Sequence, residues 1–160
     1  MTKQGDVSLL DDPVAQTLLH STNLARLAYV WRDGTPRVVP IWFHWTGKEI
    51  VMGTPSKAPK LKVLRNNSAA AVTIDSSAWP YKVLEVRGKI HVQTVQGVVP
   101  EYAAAAERYF GTEQGRAWVG QARQMFSEMV RISIRPEWVA VIDFEKRFPS
   151  AIEAAMSSGR

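Results

Sequence analysis

Between residues 82 and 95 apolar and polar side chains alternate, with Leu84, Val86, Ile90 and Val92 on one side and Glu85, Arg87, Lys89 and His91 on the other. A period of two predicts a strand with one dry and one wet face. Gly88 breaks the apolar row in its middle and predicts a bulge or bend, the device by which a sheet curls towards closure. Upstream, residues 24–31 are rich in β-branched and aromatic side chains and Asp33-Gly34 is a tight-turn pair. Residues 35–45 continue in the same character, so the two segments predict a hairpin. Gly47 marks a further turn into a third strand over 49–53, in meander order. Residues 69–74 read as a short strand buried on both faces. Two more strands are predicted over 130–134 and 138–144, with Pro136 ending one or sitting at a bulge between them.

Helical signals are fewer. Asp11, Asp12 and Pro13 open a short helix to about His20, because aspartate caps helix N-termini and proline is tolerated in the first turn. Residues 54–67 predict a loop and a short helix, with Ser56 as N-cap and Asn66-Asn67 as the stop. Two helices broken at Gly111 are predicted over 100–110 and 113–129. In the second, Trp118, Ala122, Met125, Phe126 and Met129 recur at helical spacing as a core-facing stripe. The predicted fold class is mainly β (α+β): a six- to seven-stranded antiparallel β-barrel with flanking helices, since closure removes the exposed edges of a sheet. One domain spans 1–150, and the small, polar tail 151–160 is expected to be flexible. The second strand is apolar on both faces: Val38, Pro40, Trp42 and His44 alternate with Val39, Ile41, Phe43 and Trp45. One face fills the barrel and the other needs a cover, which predicts a homodimer.

At 160 residues, with 46% hydrophobic and 22% charged residues, the chain has the balance of one globular domain. Uncharged runs such as 38–46 are too short to span a bilayer and 1–10 carries no signal-peptide pattern, so a cytoplasmic protein without membrane association is expected. The lack of cysteine excludes disulfides, thiolate metal sites and cysteine nucleophiles, and His20, His44 and His91 have no ligand spacing. The sequence has no Gly-x-Ser-x-Gly elbow, and Asp75, Glu85 and Asp143 lie in unlike contexts, which argues against serine hydrolysis and paired-carboxylate chemistry.

The net charge of +5 points to an anionic partner. Its densest source is local. Residues 50–74 contain no Asp or Glu, while Lys57, Lys60, Lys62 and Arg65 fall within nine positions, with Thr54 and Ser56 just ahead of them. Hydroxyls, ammonium groups and the N–H groups of a helix start together make a phosphate cradle; the same run also reads as a solvated basic face. The segment lacks the interleaved aromatics that stack on bases, so nucleic acid is not an expected partner.

Three stretches, in order, carry a family resemblance: Thr35-Pro36-Arg37-Val38-Val39-Pro40-Ile41-Trp42-Phe43, then 54–64 with Pro59-Lys60 and Leu64, then Tyr81-Lys82-Val83-Leu84-Glu85-Val86-Arg87-Gly88. They resemble the flavin-binding split barrels related to pyridoxamine 5′-phosphate oxidase, well over residues 20–95 and more loosely through the helices. The sequence looks most like the short bacterial branch that includes enzymes using the deazaflavin F420 as well as FMN binders. It departs from the vitamin B6 oxidase proper, whose longer arginine-rich phosphate motif and C-terminal arginine and histidine pattern are not found.

The resemblance implies a homodimeric split β-barrel that uses F420 or FMN to transfer hydride to or from a small unsaturated or quinone-like substrate. The acidic tail of F420 suits the positive charge of this chain better than FMN does. Residue by residue, the resemblance implies that Lys60 binds the cofactor phosphate, helped by Lys57, Ser56 and Thr54. Met52 and Gly53 would offer backbone groups to the ring system, and Pro40, Ile41 and Trp42 would line its other edge. Trp79 and Tyr81 would wall the pocket, from the same chain or from the partner. No catalytic residue is implied, because the hydride chemistry belongs to the cofactor. A non-catalytic flavin or tetrapyrrole binding module needs the same cradle and stands as the alternative. Each residue also has a packing reading, Trp42 and Trp79 as core or dimer contacts above all.

Overall fold

Asp33-Gly34 turns the chain as its composition predicts. Gly34 adopts a φ of +83° between β1 (Ala25–Val30) and β2 (Pro36–Ile41), which pair antiparallel from Ala25↔Ile41 to Val30↔Pro36. The expected single strand over 35–45 then divides. The chain leaves the sheet at Trp42 and Phe43 and resumes as β3 (His44–Trp45), which pairs across the Gly47 turn with β4 (Ile50–Pro55). Three further strands follow: β5 (Ala69–Asp75), β6 (Val83–Gln96) and β7 (Glu128–Ile142). This computed structural model describes residues 1–159, and its one antiparallel sheet has the order β2-β1-β5-β6-β7-β4-β3. The meander expected for the first third of the chain is therefore not formed, because β2 and β3 lie at opposite edges of the sheet.

That order fixes the architecture. Three peptide steps from Ile41 to His44 reach at most about 11 Å, so the two edges of a seven-stranded sheet must come together. The sheet is rolled into a barrel whose seam is the 41–44 crossing, as the split-barrel expectation requires.

The long strand β6 keeps the alternation read from the sequence: Leu84, Val86, Gly88 and Ile90 are buried, and Arg87, Lys89 and His91 are exposed. Its partner β7 is one strand and not the two expected. It runs through Pro136, and the register shifts there, so that Arg87 faces Trp138 and Gly88 faces Pro136 with Glu137 as the extra residue. Proline is tolerated where the ladder is already interrupted. The close approach also demands glycine on the other strand, since a Cβ on Gly88 would lie 2.1 Å from the Arg135 carbonyl oxygen.

Helix α1 (Pro13–Leu19) follows a short 3₁₀ turn at Val7–Asp11 and is capped by Asp12, whose carboxylate accepts from the Val14 N–H at 2.9 Å. Two helices, α2 (Pro100–Phe110) and α3 (Thr112–Met125), connect β6 to β7. The second ends earlier than expected. Ala122 is buried and Trp118 half-buried, whereas Met125 is exposed and Met129 reaches the core from β7. The C-terminal residues form α4 (Ser150–Ser158), none of them buried; Arg160, in the expected tail, lies outside the described residues. The barrel interior is filled by Leu27, Phe43, Ile50, Met52, Ile74, Leu84, Ile132 and their neighbours. Among the described residues no helix is long and apolar enough to cross a membrane.

Candidate functional site

The basic segment leaves β4 at Thr54, which is buried and paired with Val130 of β7. Three tight turns follow: the Ala58 N–H donates to the Pro55 carbonyl, Leu61 to Ala58 and Leu64 to Lys60, each at 3.0 Å. The expected helix is only a 3₁₀ turn, Pro59–Lys62, preceded by Ala58 without a side-chain cap. Ser56 is therefore not an N-cap, and no helix terminus adds its dipole. What remains is a set of side chains. Lys57 and Lys62 are exposed, while Lys60 is half-buried and forms no ion pair among the described residues. Burial holds the Lys60 ammonium below the ordinary lysine range. A desolvated cation without a counter-ion favours an anion arriving from solution. A narrow cleft of about 300 Å³ adjoins this loop, between Ser56 and Lys57 on one side and Phe126 and Glu128 on the other.

Met52 and Gly53 precede the cradle. The Met52 side chain is in the core, and on the outer face of β4 helix α2 sits so close to Gly53 that a Cβ there would be 2.7 Å from that of Tyr102. Only Ile50 and Val51 pair with β3, so from Met52 onward that edge of β4 lies beyond the β3 ladder, although Met52, Gly53 and Thr54 are all buried. Pro40 is exposed on β2 and Ile41 packs on the core. Trp42 is held by α2: its ring stacks on Tyr109 at 5.2 Å and meets Tyr102 and Phe110 at 5.5 and 4.9 Å. Its packing role is thus satisfied within the chain.

Trp79 and Tyr81 are 68% and 43% exposed, and form a T-shaped pair at 5.2 Å. Phe144 joins them at 5.3 Å from Trp79. Beside this aromatic group an open depression of about 700 Å³ is lined by Tyr81, Phe144, Thr73, Ser76 and the ion pair of Arg26 with Asp75. Sequence reasoning missed Phe144 and Arg26. Arg26 had a signal, as the one charge in an otherwise uncharged strand and so a marker of its outer face; Phe144, brought in from the far end of β7, had none.

The two groups do not meet within one chain. The cradle enters β5 at its first residue and the Trp79–Tyr81 loop leaves it at its last. Seven residues at about 3.3 Å each put roughly 20 Å between them. The outer face of the sheet between them carries an apolar patch: Val30 and Val38 are 61% and 64% exposed, and a depression of about 430 Å³ is floored by Ala28, Ala69 and Ala71 and edged by Lys89, Glu137 and Arg87, whose guanidinium lies over the Trp138 ring at 3.8 Å.

An antiparallel sheet rolled into a barrel, with a lysine-rich loop at one end and an exposed aromatic group at the other, has the architecture of a split barrel. Comparison with known sequences agrees. The chain belongs to the pyridoxamine 5′-phosphate oxidase family, whose model matches residues 12–143. No curated protein matches the sequence. Among solved structures, an F420 reductase is 28% identical, with a TM-score of 0.60 over 78% of this chain and 94% of its own. An FAD and heme binding protein from Mycobacterium smegmatis is 20% identical, with a TM-score of 0.57 over 98% of this chain and 80% of its own. The heme storage protein of Vibrio cholerae is 14% identical, with a TM-score of 0.59 over 81% and 93%. The last two likenesses speak to the fold alone.

Proposed function

We propose that this protein is a cytoplasmic oxidoreductase that binds F420 or FMN and transfers hydride to or from a small unsaturated or quinone-like substrate. The observation that carries the reading is Lys60, a half-buried cation without an ion-pair partner among the described residues, in a loop with Ser56 and Lys57 that leaves β4 at the buried Thr54. Those residues fit a cofactor phosphate, which supplies the missing charge and accepts hydrogen bonds from ammonium and hydroxyl groups. Bound there, the cofactor would supply the hydride chemistry; the chain would bind it, orient its ring and exclude water. The F420 reductase likeness and the net positive charge favour F420, with its acidic tail, over FMN.

A lysine that binds an anion must be protonated. The anion-bound state raises the Lys60 pKa relative to the free state, so affinity is full below the free pKa and falls as pH rises through it. Because burial already lowers that pKa, the loss is expected to begin at a lower pH than an exposed lysine would give. Arginine stays protonated throughout. A titration of cofactor affinity against pH is therefore expected to fall in the alkaline range for the native chain and to stay flat for Lys60→Arg; parallel curves would remove Lys60 from the site.

The proposed protein is a homodimer, and its site is composite. Lys60 of one chain and the Trp79–Tyr81 wall of the other line one cofactor, with the apolar face around Val30 and Val38 covered between them. Mixed dimers test this arrangement. With Lys60→Ala in one chain and Trp79→Ala in the other, one of the two composite sites keeps both native residues. Binding of one equivalent per mixed dimer at native affinity is expected. If both residues served a site in their own chain, no native site would survive. Reduction of the bound cofactor followed by turnover of an acceptor separates the enzyme from a flavin or tetrapyrrole carrier: binding without turnover across a quinone and enone panel is the carrier's result.

A further inference from the structure

The seat of α2 on the barrel is polar where a helix–sheet contact is ordinarily dry. Glu101, in its first turn, accepts from the Arg131 guanidinium at 2.9 Å, and Arg131 also reaches Glu49 at 3.4 Å. The rest of the seat holds unmet demand. His44 Nδ1, Glu101 Oε2 and Ser133 Oγ are buried without a hydrogen-bond partner in the protein, and among the described residues they are the only side-chain atoms in that state. Buried polar groups are overwhelmingly paired, so three together call for a shared explanation.

Register places them together. Gly53 and Arg131 are cross-strand partners, and both face α2: Gly53 against Tyr102 and Arg131 against Glu101. Side chains two residues along a strand share a face. Val51 and Ser133, also cross-strand partners, therefore face α2 as well, and His44 stands beside Val51 in the same row. His44 and Ser133 flank Val51, their backbones roughly 10 Å apart across two strand spacings, and Glu101 overhangs the row from α2. Ser133 is 1% exposed, so its hydroxyl has no route to bulk water.

We infer that these three atoms form a buried hydration site in which one or two water molecules dock the first turn of α2 onto β3, β4 and β7. The surroundings select the occupant. The Arg131 guanidinium opposes a cation, the Glu101 carboxylate opposes an anion, and a hydroxyl, an imidazole nitrogen and a carboxylate oxygen need one molecule that both donates and accepts. Water bridges such groups at little cost. The site is separate from the cradle and does not depend on the proposed cofactor.

Equilibrium unfolding of the full chain tests it. If Ser133 Oγ were left dry, Ser133→Ala would remove an unsatisfied group and raise the folding constant. With bridging water, Ser133→Ala is expected to lower the folding constant about fivefold. Ser133→Ala and His44→Ala are also expected to couple, the double variant departing from the product of the singles by about threefold or more although the two side chains do not bond each other. A high-resolution crystal structure is expected to show solvent oxygen at about 2.7–3.2 Å from at least two of the three atoms. A raised folding constant for Ser133→Ala, independent effects of the two substitutions, or a solvent-free cluster in the crystal each overturn the inference.

Discussion

Replacing Lys60 with alanine is expected to weaken binding of the phosphate-bearing cofactor by about ten- to a hundredfold, the scale of one charge-assisted contact. The chain itself should tolerate the change. Among the described residues Lys60 forms no ion pair, so its removal strands no carboxylate there, and the 3₁₀ turn it occupies is held by backbone bonds such as Leu64 N–H to the Lys60 carbonyl at 3.0 Å. Native thermal stability together with weakened binding identifies a ligand contact. Unchanged affinity removes Lys60 from the site, and unfolding would show it to be structural. Lys62 is the control: it is exposed on the same turn, and Lys62→Ala is expected to alter affinity far less.

The second large effect is on stability. A methyl group on Gly88 would meet the Arg135 carbonyl oxygen at 2.1 Å and the Ile134 side chain at 3.3 Å. The first obstacle is backbone, at the point where β6 and β7 shift register, so neither strand can yield without breaking the ladder on both sides of the bulge. Gly88→Ala is expected to destabilise the fold by about 3 kcal/mol, a drop of roughly 6–12 °C in Tm for a domain of this size. Gly120 supplies the contrast. It lies within α3 with nothing within 4 Å of its Cβ position, so alanine there gains helix propensity and is expected to stabilise by about 0.5–1 kcal/mol. Equal Tm values for the two variants would contradict the reading of the bulge.

These two residues also mark what the amino-acid sequence discloses. The alternation from Leu84 to Val92 could describe only a half-buried strand, and Gly88 inside it could only be a weak point or a bulge. The seam could not be read in the same way. From Val38 to Trp45 both faces are apolar, so no period marks where the chain quits one edge of the sheet for the other. Pro136 carried the signal of a strand end or of a bulge, and its partner Gly88, 48 positions upstream, decides for the bulge, a place where a missing donor costs nothing. Met125 and Met129 share a helical spacing, yet a change from helix to strand lies between them, and burial separates the two. The candidate site divides along the same line. Lys60 was visible because an absence of acids is local, whereas the distance from Lys60 to Trp79 and Tyr81 depends on the direction of β5.

Parallel calorimetric titration of the purified protein with F420 and FMN tests the central claim most directly. Binding of one of them at one equivalent per chain, with the enthalpy signal weakened by Lys60→Ala, is the expected result. Binding of neither, or binding that Lys60→Ala leaves untouched, contradicts it.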